Sequence, residues 1–478
     1  MAGRKIIGDS LVYGLASLLI NGSNFFLIPF YTHYLITSEY GIISGVTVFS
    51  TTLMSIFCLG LNGAVTRFYF DYEREEFKIF LFTIFVFQIL CAISLIIIIT
   101  SFGGGIVFAG LFKKVPYEPY LRYGVWIAFT GTFSMVPLAL FQAKSKALAY
   151  RLCTSISFVV LTALMFYFVV FRKEGSIGSI RASLISNSIM TLVYGYIVFS
   201  NSTLIFRFKH LKAALIFSLP LMIYAVFGTM TEMSSKFFIE RFVSISELGI
   251  FNVAQQIAAV MLLVSNAINL AWVPIFYETA NRNDSPESFN LFGKFFVFLL
   301  TVLGLSLSLF ASDFVRLFMS PSYAEVSSYI PLLVLSYIIG SGYWILLVNP
   351  ISYSKKTFFL PILTVISGSL SIGLNLALVP TYGVIGAAIA TFLSYVVLIV
   401  ATYFVYKKVS NIRYDFFSLN NMIVVAIVVY MVTSAVVLDN FLLSLTVKLI
   451  GVIIFILLIG VFKIYSIKEL VNFVKSRN

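Results

Sequence analysis

"GLNLALVPTYGVIGAAIATFLSYVV", residues 373–397, sets two apolar runs on either side of a short polar turn, "PTYG" at 380–383. The runs extend over about 357–379 and 383–404 without a charged residue. That length matches the roughly 20 residues a helix needs to cross about 30 Å of hydrocarbon. In the second run Gly383, Ala387 and Thr391 form one row of small residues at helical spacing, and Gly386, Ala390 and Ser394 form the next. Such rows let backbones approach closely where lipid provides no hydrophobic drive for association. Pro380 cannot continue a helix interior and Gly383 tolerates unusual dihedrals, so the turn reads as the tip of a helical hairpin.

The same kind of apolar run recurs along the chain. Of 478 residues, 60% are hydrophobic and only 11% are charged, a balance that excludes ordinary soluble packing. Fourteen spans are expected, near 10–31, 41–66, 79–101, 120–141, 150–171, 180–200, 212–239, 248–274, 291–311, 328–348, 357–379, 383–404, 420–438 and 442–462. The runs are continuous, without the alternation of outer-membrane strands, so the expectation is an all-α integral membrane protein. The first run is long and lacks a small-residue cleavage site, and more spans follow, so it reads as helix one rather than a removable signal. The three cysteines, Cys58, Cys91 and Cys153, lie within or beside spans and lack metal-ligand spacing; they read as packing residues, and no cofactor is expected.

The formal charge of +13 is distributed as a topology signal. With the N-terminus in the cytoplasm, 22 of the 32 Lys and Arg fall on the cytoplasmic side and nine on the other, while Lys448 falls inside the last span. Clusters at Arg67/Arg74/Lys78, Lys144/Lys146/Arg151, Arg207/Lys209/Lys212 and Lys407/Lys408/Arg413 follow the positive-inside rule. The distribution argues against nucleic acid as a partner and puts both termini in the cytoplasm.

The chain also repeats itself. "SEYGI" at 38–42 returns as "SELGI" at 246–250, an offset of 208 that also aligns Phe68-Tyr69 with Phe276-Tyr277, Phe30 with Phe238 and His33 with Arg241. Six spans per copy start both copies on the same side, so the repeats are expected to be parallel, with a path between two lobes. The expected organisation is a six-helix lobe over 1–210, a second over 211–410, and two additional helices with a cytoplasmic tail over 411–478.

"SEYGI", "SSKFFIERFVSISELGIFNVAQQIA" at 234–258 and "NLALVPTYGVIGAAIATFLSY" at 375–395 resemble the polysaccharide, or O-antigen repeat-unit, flippases. That family shares a superfamily with the multidrug and toxic compound extrusion (MATE) transporters and the lipid II flippases. The resemblance implies a MATE-like fold in the bacterial inner membrane. It further implies outward flipping of a polyprenyl-pyrophosphate-linked oligosaccharide for surface polysaccharide biosynthesis, by alternating access around a cationic cavity. A polysaccharide polymerase and chain-length machinery are partners implied in the same way.

The physical problem of such a substrate fits this reading. A pyrophosphate and sugars cannot cross hydrocarbon unassisted, whereas a polyprenyl tail can stay in lipid. The head calls for Arg or Lys against phosphate and for amides or hydroxyls against sugar. Glu232, Lys236 and Glu240 recur at i, i+4 and i+8 on one helix face. Lys236 either meets the head or snorkels to the outer interface. Where the resembled family often has an acid next to this lysine, Ser235 stands here, leaving Glu232 as the candidate for ion coupling. His33 and Arg241 are expected near the outer mouth, to hold phosphate or to anchor in headgroups, and Arg67 near the cytoplasmic mouth. Gln255 and Asn24, with other amides such as Asn62 and Asn269, stand in apolar spans and should line a cavity or bond another helix. Arg122, Arg181, Arg316 and Lys448 read as anchors near span ends.

Two other classes compete. A cation-coupled multidrug exporter of the same superfamily would want buried carboxylates in the first lobe, where only Asp9 and Glu39 flank helix one. An integral-membrane glycosyltransferase or polymerase would want acidic residues on a sizeable outer loop, and the first outer loop, "THYLITSE", offers one Glu. No phosphate-cradling P-loop and no catalytic constellation is evident, so an enzyme is not expected.

Overall fold

The computed structural model describes residues 25, 27–101, 110, 112–281, 286–436 and 440–461. The secondary structure of these residues is helical. The helices are α1 Thr37–Cys58, α2 Leu61–Phe68, α3 Arg74–Ser101, α4 Tyr117–Ala143, α5 Ala147–Phe171, α6 Gly175–Ser200 and α7 Phe208–Phe242. They continue with α8 Ile245–Ala280, α9 Glu287–Leu309, α10 Ala311–Phe318, α11 Val326–Tyr353, α12 359–382, α13 384–409, α14 Phe416–Ser434 and α15 Phe441–Val461.

Twelve stretches among the described residues are long and apolar enough to cross a membrane. One of them, Phe359–Val409, is two helices joined at Gly383, the only residue in it with non-helical dihedrals. The expected span 10–31 lies largely outside the described residues. Fourteen spans are therefore consistent with what is seen. The observed helices also run past the apolar runs: α1 begins at Thr37, α3 at Arg74 and α8 at Ile245. Their first turns hold Glu39, Glu75, Glu76 and Glu247, where carboxylates complement free backbone N–H groups and the helix dipole. Apolarity alone trims these charged turns. One expected span, 41–66, is interrupted, because Leu59 and Gly60 adopt positive φ of 52° and 68° and separate α1 from α2.

The hairpin at 380–383 forms, with a change in what makes it. Pro380 stays inside α12, and the chain turns at Gly383, whose φ of 62° and ψ of −138° lie in a region open essentially to glycine. Both small-residue rows beyond the turn are buried apart from half-buried Gly383, and a Cβ on Gly386 would lie 2.3 Å from the Leu378 carbonyl oxygen. Small residues there are a condition for the hairpin to close.

The described residues gather into two compact units. One contains Tyr34–Asn252 and Thr364–Ala387. Its core packs Phe49, Phe57, Leu121, Val125 and Ile180 in one cluster and Leu61, Phe80, Phe85, Val136 and Leu140 in another. Within this unit α1 meets the start of α8 through the repeated pentapeptides. A Cβ on Gly41 would lie 1.8 Å from the Ile245 carbonyl oxygen, and one on Gly249 would lie 2.0 Å from that of Thr37. Ile245 follows Thr37 by the same 208-residue offset, so the two contacts are images of each other.

The other unit contains Val253–Leu363, the chain from Ala388 onward, and described residues up to His33. Trp272 stacks on Phe292 at 3.5 Å, and Phe298 stacks on Phe455 at 6.3 Å. Polar side chains also join its helices: Ser265 bonds Ser341 at 2.8 Å, and Asn349 donates to Asn269 at 3.1 Å. Such bonds between helices in lipid contribute about 0.6–2 kcal/mol each.

Candidate functional site

α7 carries most of the residues that the sequence singles out. Glu232 and Lys236 lie one turn apart on it, close enough for their charges to interact. Lys236 is 8% exposed, whereas Glu232 is open to solvent-accessible space. Glu232 stands ten residues before the end of α7, about 15 Å at 1.5 Å per residue, and so well inside the span. A carboxylate at that depth is tolerated where it faces water or a partner rather than lipid chains.

Glu240, third on that face, has a different role. Its side chain is fully buried and accepts from three consecutive backbone N–H groups, at 3.2 Å from Lys113, 2.9 Å from Val115 and from Lys114 between them. Lys114 also bonds the Val243 carbonyl, and Arg241 donates to the Gly110 carbonyl at 2.7 Å. The end of α7 thus fixes the segment before α4. Helical spacing grouped Glu240 with the Glu232–Lys236 pair; its backbone partners, more than 120 residues away, left no signal in the sequence.

An adjoining face of α7 is largely apolar. Met230, Met233, Ser234 and Phe237 join Thr52 and Phe49 of α1 around a cavity of about 330 Å³. Phe112, edge-on to both Phe49 and Phe237 at 5.6 and 5.3 Å, borders it. Ser234 bonds Ser371 at 2.6 Å and accepts from Asn375 at 3.1 Å, while Ser235 donates to the Ala387 carbonyl at 3.3 Å. Ser235 therefore has a structural partner on the small-residue hairpin.

The remaining sequence candidates are distributed more widely. Arg67 is largely exposed at the end of α2 and pairs with Asp71 at 3.3 Å, as a solvated helix end does. His33 is exposed, with Nδ1 2.8 Å from the Pro29 carbonyl oxygen. Gln255 is 7% exposed on α8. Asn24 lies outside the described residues. Asn269 bonds across to another helix, and Asn62 of α2 accepts from Cys58 at the end of α1.

Near Arg74 and Lys78, segments far apart in sequence converge. Lys144 donates to Asn201 at 2.6 Å, and its ammonium is held below the usual lysine range by burial and by the charges of Lys146, Arg74 and Lys78. Two of the basic clusters thus meet at one cationic end of their unit. Other partners escaped sequence reading. Lys448 is no anchor in headgroups: it bonds Asp313 at 2.6 Å and Ser312 at 3.2 Å, with side chains of the ion pair only 16% and 12% exposed. Lys294 pairs with Asp415 at 3.0 Å.

These helices and their joined hairpin define a multi-pass membrane protein. The fold is similar to "Lipid II flippase MurJ, inward closed conformation", with a TM-score of 0.73, 15% identity, and coverage of 94% of this chain and 97% of that one. It is also similar to an inward-facing multidrug resistance MATE family transporter of the MOP superfamily, with a TM-score of 0.62, 15% identity and coverage of 84% and 98%. The chain belongs to the polysaccharide biosynthesis protein family, whose model matches residues 6–280. The Lsg locus protein 1 of Haemophilus influenzae is 24% identical over 426 residues, 85% of this chain and 99% of that protein. The fold is one that solved flippase and MATE transporter structures share.

Proposed function

We propose that this protein flips polyprenyl-pyrophosphate-linked oligosaccharide repeat units from the cytoplasmic to the outer leaflet of a bacterial inner membrane, for O-antigen, capsule or exopolysaccharide biosynthesis. The observation that carries the proposal is the Glu232–Lys236 pair, inside a span of a chain belonging to the polysaccharide biosynthesis family. Lys236 supplies the cation that an anionic pyrophosphate needs inside a membrane, and Glu232 neutralises it when the head is absent. Arg67 and the converging lysines meet the head on the cytoplasmic side. Arg241 and His33 meet it on the outer side, while Gln255 and Asn24 bond sugar hydroxyls. The lobes 1–210 and 211–410 alternate access, and the helices of 411–478 accompany the second.

An inside-negative potential favours outward movement of an anionic head by about 2.3 kcal/mol per charge per 100 mV. The test is a vesicle assay following a pyrophosphate-linked glycolipid across the bilayer, with and without an imposed potential. Protein-dependent movement that K236Q strongly reduces is expected. Glu232, a mid-span carboxylate on a fold shared with MATE transporters, favours one second reading, a cation-coupled drug exporter. Movement of a cationic dye in place of any glycolipid would establish that reading.

A further inference from the structure

A second cavity, of about 580 Å³, lies between α4 and α6, away from the α7 face. Arg122, Trp126 and Phe129 line it at i, i+4 and i+7 on α4, and Leu184 and Ser188 line it at i and i+4 on α6. The wall on α4 therefore runs two turns, about 10 Å, along the span from its first turns inward. Beside it Ile189 and Leu192, exposed by 43% and 77%, face outward from α6 within a span, which places this side against lipid.

The groove is amphipathic along its length. Its mouth holds one cation and one carboxylate, Arg122 and Glu118, paired at 3.0 Å with side chains 60% and 59% exposed. The neighbouring Arg181 and Arg172 share one carboxylate, Glu174, at 2.9 and 3.4 Å. Below the mouth, the wall is aromatic and aliphatic, with Trp126 41% exposed. The hydroxyls of Thr130 and Ser188 bond back to their own helices at Trp126 and Leu184, so no polar group is directed at a ligand in the lower part.

We propose that this groove holds a phosphatidylethanolamine molecule of the bilayer. The phosphate takes the Arg122 guanidinium, the primary ammonium donates to the Glu118 carboxylate, and one acyl chain lies on Trp126 and Phe129. The charge pattern selects this headgroup. An anionic phosphatidylglycerol meets a carboxylate with no ammonium to offer it, and the quaternary ammonium of phosphatidylcholine has no N–H to donate. This inference stands independently of the transported substrate.

The test uses the full chain in lipid nanodiscs doped with a small fraction of brominated phosphatidylethanolamine, phosphatidylglycerol or phosphatidylcholine, and reads tryptophan quenching. The chain has three tryptophans, Trp272 is buried, and W126F identifies the share due to Trp126. Brominated phosphatidylethanolamine is expected to quench Trp126 at about two- to fivefold lower mole fraction than the other two lipids, the scale of an exposed ion pair. E118Q should remove that preference while leaving quenching by phosphatidylglycerol in place. Equal quenching by the three lipids in the wild-type protein would overturn the proposal, as would an E118Q protein that keeps the preference. The wild-type comparison stands even if E118Q fails to fold.

Discussion

Gly41 and Gly249, equivalent residues of the two repeats, each press the bare face of a backbone against a carbonyl supplied by the other repeat motif. Neither contact has room for a methyl group. The crossing of α1 with the start of α8 is a backbone-to-backbone seam, and the duplicated pentapeptide is its sequence trace.

Substitution at the seam should therefore be costly and non-additive. G41V or G249V alone is expected to destabilise the protein by about 1–3 kcal/mol, the usual range for overpacking a close contact. The double variant should cost clearly less than the sum, because either valine already parts the two helices. Thermal unfolding of the purified single and double variants checks this, and strict additivity would show that the two contacts are independent.

Neutralising Lys236 tests the transport site. K236Q is expected to lower glycolipid flipping roughly ten- to hundredfold, the scale of one lost charge-assisted hydrogen bond, with unchanged abundance in the membrane. R67Q, whose parent residue is largely exposed and paired with Asp71, should have a smaller effect. Full activity in K236Q vesicles would remove the pyrophosphate role from α7.

The Lys448–Asp313 pair predicts an asymmetry between single and double substitutions. K448M or D313N leaves one buried charge uncompensated, at about 3–5 kcal/mol. K448M combined with D313L removes both charges and should recover most of that loss. A thermal-shift series on the three proteins decides the matter.

Asp415 gives a pH dependence. It precedes α14, accepts from the Ser418 N–H at 3.2 Å and pairs with Lys294 at 3.0 Å. Burial alone would raise its pKa, but the Ser418 and Lys294 hydrogen bonds outweigh it and hold the carboxyl below the usual aspartate range. A lowered folded pKa contributes stability that is present above the unfolded value, about 3.9, and is lost as pH falls through the folded value. The melting temperature of the wild type should exceed that of D415A at neutral pH, by the equivalent of about 0.5–2 kcal/mol for a lost helix cap. The gap should close as pH falls below about 4. A gap that stays constant down to pH 3 would exclude the linkage.

Accessibility labelling tests the orientation. A cysteine at Lys407 should react only from the cytoplasmic side and one at Lys173 only from the outer side; the reverse pattern would invert the topology.

Much of the fold was legible because a spanning helix is a local property. About 20 apolar residues suffice to declare it, and "PTYG" declared the hairpin. The helix ends were less legible, since charged first turns such as Glu75-Glu76 belong to the helix yet read as loop. The site was legible only along one helix. Spacing put Glu232, Lys236 and Glu240 on one face, but only three-dimensional contacts assign Glu240 to the backbone of residues 113–115. Lys448 was read as an interfacial anchor for the same reason: its partner Asp313 lies 135 residues earlier, at no periodic distance.

That last pairing bears on how the chain is made. A lysine within a span opposes membrane insertion unless it is paired, and Lys448 is the eighth residue of α15. The carboxylate that receives it is synthesised long before α15 leaves the ribosome. The last helix therefore carries a charge whose partner, on α10, precedes it in the chain.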